Sequence, residues 1–207
     1  MTSLPAGRIF PAMRTAEIQR ETAETKIRCR LDLDGSGRAT IATGIGFFDH
    51  MLTLLARHAL VDLELEAHGD LHVDLHHTVE DTGIVLGQAI RQALGDKAGI
   101  RRYGWCFLPM DESLARVAVD LGGRPFLHFG VPGQPEAIGG NFPFSLVEEF
   151  FRAMAFNLAA NVHAEVAYGR DSHHMAEAVF KGLAKCLMQA VDNDPRISGV
   201  LSTKECL

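Results

Sequence analysis

The sequence predicts an α+β fold in which a half-unit of one β-sheet plus two helices occurs twice, with the helices packed between two sheets. Three observations predict it. The order of strand-like and helix-like segments is the same in both halves of the chain. A His-His-x-x-Glu motif opens the last helical pattern of each half, at His76–Glu80 and again 97 residues later at His173–Glu177. Upstream, His50 stands 26 residues before His76, and Glu149 stands 24 residues before His173. Repetition of order and spacing together is the signature of an internal duplication. Each helix pair has an apolar face that needs covering, and the two pairs can cover each other. One catalytic domain over 1–207 is therefore expected, with repeats at about 14–97 and about 101–192 and a C-terminal substrate-binding tail.

The elements follow in order. The first dozen residues, with Pro5, Gly7 and Pro11, read as a frayed leader. Arg14 to Leu33 reads as extended chain, Asp34-Gly35-Ser36-Gly37 as a turn, and Arg38–Thr43 as the strand completing a hairpin with it. Phe47, Met51, Leu54 and Leu55 recur at helical spacing over Phe47–His58. Val61–Ala67 alternates apolar and polar as a half-buried strand, and a helix runs from His76 to Leu94, ending near Gly95. In the second half, Leu114–Leu121 and Pro125–Phe129 read as strands flanking a tight Gly122-Gly123 turn. Ser145 is placed to cap a helix to about Ala160, His163–Tyr168 is strand-like, and His173–Val191 is a long amphipathic helix. Trp105 and the phenylalanines are expected in the core.

Composition narrows the function classes. The chain has 207 residues, 47% apolar and 22% charged, which suits a soluble globular protein. A net charge of −6 argues against a nucleic-acid binder, which would show a basic face. There is no run long enough to span a membrane and nothing that reads as a secretory signal. Cys29, Cys106, Cys186 and Cys206 form no C-x-x-C pair, so a reducing cytoplasmic setting is expected, with the thiols as core filler.

A helix puts i and i+4 on one face, so each His-His-x-x-Glu aims an imidazole and a carboxylate at a common point. Imidazole with carboxylate suits a divalent transition metal, and the absence of cysteine argues against a purely structural zinc site. Adjacent histidines diverge by roughly 100° on a helix, so each pair serves two directions rather than one ion. The candidate ligands are His50, His76, His77, Glu80, Glu149, His173, His174 and Glu177, expected as two pseudo-equivalent sets of four. Arg101, Arg102, Arg124, Lys181 and Ser202-Thr203-Lys204 are candidates for gripping phosphate. Lys181, at i+4 from Glu177, belongs to the ligand-bearing face. His58, His68, His72, His128 and His163 read as structural or surface residues, with His58 the least neutral because it shares a helix with His50.

These residues carry a resemblance. Gly44–Leu52, Gly69–His72 through His76–Asp81, and Asp171–His174 through Glu177–Lys181 are very similar to the imidazoleglycerol-phosphate dehydratases, and the match runs from about Arg14 to Lys204. The resemblance implies dehydration of D-erythro-imidazole glycerol phosphate to imidazole acetol phosphate in L-histidine biosynthesis. It also implies two manganese ions per subunit and a 24-subunit shell whose metal sites form where subunits meet. Carried over by motif, the metal ligands are His50, His76, His77, Glu80, His173, His174 and Glu177, with Glu149 standing where many members have histidine. Substrate contacts fall on Glu24, His50, His58, His76, Glu80, Arg102, Arg124, His173, Lys181, Ser202, Thr203 and Lys204. The proton to be lost sits on a carbon made acidic only once the neighbouring hydroxyl departs with help from a metal-bound imidazole ring. Glu24 is the expected base, with Glu80 and Glu177 as further catalytic carboxylates. Two other classes use the same ligands: a metal-dependent isomerase or aldolase on another sugar phosphate, and a metal-storage shell. Storage would not need the phosphate-gripping set.

Overall fold

A computed structural model describes residues 13–206, so the leader expected over the first dozen residues lies outside the described residues. The first repeat contains β1 (Thr15–Glu21), β2 (Thr25–Asp32), β3 (Ala39–Ala42), α1 (Gly46–Ala59), β4 (Asp62–Gly69) and α2 (His76–Leu94). The second contains β5 (Tyr103–Met110), β6 (Ser113–Asp120), β7 (Phe126–Gly130), α3 (Ser145–Leu158), β8 (Asn161–Tyr168) and α4 (Ser172–Val191). The strand orders are β1-β2-β4-β3 and β5-β6-β8-β7. The predicted α+β class holds, with the helices between the two sheets.

Sheet pairing corrects the predicted hairpins. The stretch read as one extended segment is itself a hairpin, β1 against β2, turning at Thr22–Glu24. Asp34–Gly37 does not fold β3 back onto β2. β4 lies between them, antiparallel to β2 and parallel to β3. The reason is α1: two parallel strands need a crossover, and β3-α1-β4 supplies one. The second repeat does the same, so Gly122-Gly123 joins strands that are not neighbours, and β8 separates β6 from β7. β5 has no counterpart in the sequence reading. Its outward residues are aromatic, which hides the usual apolar–polar alternation: Trp105 is 67% exposed and Phe107 70%. Trp105, Phe107, Phe126 and Phe156 are therefore not core residues, whereas Phe48, Phe142, Phe150, Phe151 and Phe180 are.

Inward faces alternate strictly. In β2, Ile27, Cys29 and Leu31 are buried while Lys26, Arg28 and Arg30 face out. In β6, Ala115, Val117 and Val119 are buried. Burial raises the Cys29 thiol to about 12. Cys106 and Cys186, distant in sequence, meet with their sulfurs 3.8 Å apart as free thiols.

The helices cross between repeats. α2 packs on α3, and α1 packs on α4. The α2–α3 approach is close because Gly83 and Gly87 face it: a Cβ on Gly87 would stand 2.5 Å from the Met154 carbonyl oxygen. α1 and α3 end alike, on Leu60 and Ala159, both in the left-handed region at φ 60° and 55°. The predicted Ser145 cap is absent: Ser145 is the first helical residue, and the cap position, Phe144, makes no side-chain bond.

Candidate metal centre

Both His-His pairs occupy the first turn of a helix held by an aspartate. The Asp171 side chain caps α4, accepting from the backbone N–H groups of His173 at 2.7 Å and His174 at 3.1 Å. At the matching place in the first repeat, Asp74 accepts from the His76 N–H at 2.8 Å. Side-chain oxygens satisfy helix-start donors in this way and fix the direction of the first turn.

Two triads result. His50, His173 and Glu177 place their ligand atoms within 4.8 Å of one another, and so do His76, Glu80 and Glu149. In the first of these, His50 Nε2 and His173 Nε2 lie 3.5 and 3.2 Å from the same Glu177 oxygen. In the other, His76 Nε2 is 3.6 Å from Glu80. His50 thus joins the motif of the second repeat, and Glu149 joins that of the first. The cause is the crossed helix packing, which lays α1 on α4 and α3 on α2.

The second histidine of each pair belongs to neither triad. His77 Nδ1 lies 3.0 Å from Asp70 and 3.9 Å from Glu24; His174 Nδ1 lies 2.7 Å from Glu112. The rings within each pair stand at 89° and 87° to each other, in keeping with two directions of service. Holding Nδ1 on a carboxylate sets the tautomer and leaves Nε2 to face a ligand. Asp70 and Glu112 raise the two imidazoles above the ordinary histidine value. Glu112 is itself held far below the carboxylate range by the Asp171 N–H, then His174, then the Arg170 N–H.

Each triad has a neighbouring cation. Burial would raise the Glu177 carboxyl, but the Lys181 ammonium hydrogen-bonded to it, with His50 and His173, lowers it on balance. The i, i+4 pairing of Glu177 and Lys181 is as the sequence spacing implies. Beside the other triad, the Arg152 guanidinium pairs with Glu149 and lies 3.7 Å from Glu80. His58, on α1, is depressed by burial and then by Lys181 and Lys185.

Of the phosphate candidates, Lys181 stands beside Glu177 and Arg101 pairs with Asp192 at 3.0 Å; the others lie elsewhere. Arg102, Arg124, Ser202, Thr203 and Lys204 line one open cleft, together with Arg196. Arg102 is anchored on Asp120 at 2.7 Å and donates to the Leu201 carbonyl at 2.7 Å, while its backbone N–H bonds Ala190. Ala190 is the far end of α4 from His173, about 25 Å along the helix at 1.5 Å per residue. Within one chain, that cleft and the triads do not converge. Four residues escaped the sequence reading: Asp70, Glu112, Arg152 and Asp111, whose carboxylate lies 3.7 Å from His174 Nε2. Asp111 and Glu112 follow β5, the strand the pattern concealed, whereas Arg152 was legible as i+3 from Glu149.

A duplicated α+β layer presenting His/Glu triads at helix starts defines a class of scaffold whose donor groups could hold a metal ion. A family profile described as imidazoleglycerol-phosphate dehydratase matches residues 43–187. An imidazoleglycerol-phosphate dehydratase of Akkermansia muciniphila is 60% identical over 94% of this chain and all of its own length. One from Azorhizobium caulinodans is 61% identical, covering 94% of this chain and 99% of its own. Among solved structures, the Staphylococcus aureus enzyme superposes with a TM-score of 0.78 at 38% identity, over 87% of this chain and 99% of that one. The Pyrococcus furiosus enzyme, solved in complex with (S)-C348, gives 0.78 at 35% identity, over 92% and 100%. The chain belongs to the imidazoleglycerol-phosphate dehydratase family, and it is a hydro-lyase.

Proposed function

We propose that this chain dehydrates D-erythro-imidazole glycerol phosphate to imidazole acetol phosphate in L-histidine biosynthesis, in the cytoplasm, with two Mn²⁺ per subunit. Among the described residues, no helix is long and apolar enough to cross a membrane. The observation that carries the metal reading is the donor chemistry of the triads: imidazole nitrogens and carboxylate oxygens gathered within 4.8 Å suit a divalent first-row ion. When bound, the ions supply Lewis-acid attachment of the substrate's imidazole ring.

The chain's own residues do the rest. His77 and His174, turned away from the triads on their own subunit, are available to complete a neighbour's site. The distance along α4 from His173 to the Arg102–Lys204 cleft argues for the same arrangement. A shell of 24 subunits, with sites at the contacts, would bring phosphate grip and triads together. Arg102, Arg124, Lys181 and Ser202–Lys204 would hold the phosphate and orient the triol chain, limiting wasteful loss of phosphate. Glu80 and Glu177 are engaged as ligands and paired with cations. Glu24, on the β1–β2 turn with an exposed carboxylate, is free to take the proton from the carbon next to the departing hydroxyl. The C–O bond breaks, water leaves, and the enol becomes the ketone.

An assay of imidazole glycerol phosphate dehydration, with and without added Mn²⁺, tests the reading directly. Glu24→Gln is expected to keep bound metal and assembly while lowering kcat at least about 100-fold, the usual worth of a positioned base. Near-normal turnover in that variant would remove Glu24 from proton transfer.

A further inference from the structure

The two repeats provide an internal control on the triads. α1 and α3 are each 14 residues long and align position for position, so His50 corresponds to Glu149 and Thr53 to Arg152. Where the triad residue is an imidazole, the position three residues on is a hydroxyl, and Thr53 Oγ1 merely donates to the Asp49 carbonyl at 2.8 Å. Where the triad residue is a carboxylate, that position is a guanidinium. Its Nε donates to Glu149 at 3.3 Å, its terminal nitrogen pairs with the other Glu149 oxygen, and the same nitrogen lies 3.7 Å from Glu80. One extra negative charge in the triad is matched by one extra positive charge one turn away.

We infer that Arg152 is a positioning residue that serves as a built-in counter-cation for the His76–Glu80–Glu149 triad, and that a divalent ion enters this triad by displacing it. The inference rests on the metal reading above. Two carboxylates brought to one point repel unless a cation sits between them, and an arginine fork can bridge both. A guanidinium stays charged at every working pH, so it cannot leave by losing a proton. It must swing out, and the Arg152 side chain is 50% exposed, with solvent to swing into. The His50–His173–Glu177 triad differs in kind. Its cation, Lys181, pairs with a single carboxylate, Glu177, and also reaches the Met110 sulfur at 3.6 Å; both cation and carboxylate are largely buried. The two triads are therefore inequivalent: one offers two nitrogens and one oxygen, the other one nitrogen and two oxygens with an arginine across them.

Mn²⁺ binding to the assembled protein, followed by the electron paramagnetic resonance signal of the free ion, separates the outcomes. The expected result is two ions per chain in the parent protein. In Arg152→Gln, one of the two classes should tighten about tenfold while the other stays, because a fixed positive charge a few ångströms from the ion is gone. Arg152→Lys should return that class toward the parent affinity, and Glu149→Gln should weaken it. Thermal unfolding of each variant identifies any that fails to fold, and the lysine variant then carries the comparison. If Arg152→Gln leaves both classes unchanged within twofold, or weakens one, Arg152 does not compete with the ion and the inference falls. A parent protein that binds no Mn²⁺ would instead overturn the metal reading itself.

Discussion

The outer faces of the two sheets differ in kind, one charged and the other aromatic. On the first sheet, Glu17 accepts from Arg28 at 2.8 Å and Arg30 at 3.2 Å, and Glu64, Glu66 and His68 continue the charged lattice. On the second, Tyr103, Trp105, Phe107 and Phe126 stand exposed, with Arg116–Glu165 as the ion pair among them. The inward faces remain alike, because each must cover the same helix layer with alternating small and branched residues. Duplication thus preserves what packing requires and leaves the outside free to diverge. A large exposed aromatic patch marks a surface that another molecule covers.

Three measurements break or sharpen this comparison. The largest effect is expected from Trp105→Asp combined with Phe107→Asp: if the proposed shell forms, the pair should cut the protein's sedimentation coefficient while leaving the helical circular dichroism intact. Charge reversal at Glu17 on the other sheet should leave assembly unchanged. Equal effects on the two faces would erase the distinction between them.

The helix interfaces come next. Gly87→Ala forces a methyl group against the α3 backbone and should cost about 1–3 kcal/mol in denaturant unfolding. Its counterpart in α4 is Ala184, fully buried, where Ala184→Gly should cost about 1 kcal/mol from helix entropy. A neutral Gly87→Ala would mean that α2 and α3 can separate freely.

The smallest effect lies in the connection before β3. The Asp62 carboxylate is held far below its ordinary range by the Arg38 guanidinium, then by the backbone N–H groups of Ser36 and Arg38. A depressed carboxylate contributes stability above its unfolded value of about 4, and that contribution is lost as pH falls toward the folded value. The second repeat has Asn161 at this place, which donates to the Arg124 carbonyl and does not titrate. Asp62→Asn should therefore remove the acid-induced loosening near Ser36, read as amide exchange between about pH 4 and pH 2. Unchanged pH dependence in the variant would show that Asp62 does not anchor the turn.

Much of the site was legible because helix geometry is local. His76 with Glu80, and His173 with Glu177, could be paired from spacing alone, as could Glu177 with Lys181. The 76–94 helix has the predicted bounds, since an apolar stripe and a terminal glycine mark it. β5 was not legible, because aromatic residues on its outer face erased the alternation that identifies a half-buried strand. Its loss concealed Asp111 and Glu112, and with them the partner that holds His174.

By itself, then, the sequence determined the duplicated α+β layout, the imidazole–carboxylate pairs one helical turn apart, and the two directions of each histidine pair. Those follow from the rise and turn of a single helix. Only the tertiary structure decided which third residue completes each triad. Proximity in sequence grouped His50 with His76 and Glu149 with His173; packing exchanged them. Each repeat's helices bury their apolar faces on those of the other repeat, so α1 lies on α4 and α3 on α2. The burial of those faces, and not the order of the chain, sets the charge and donor balance of each triad.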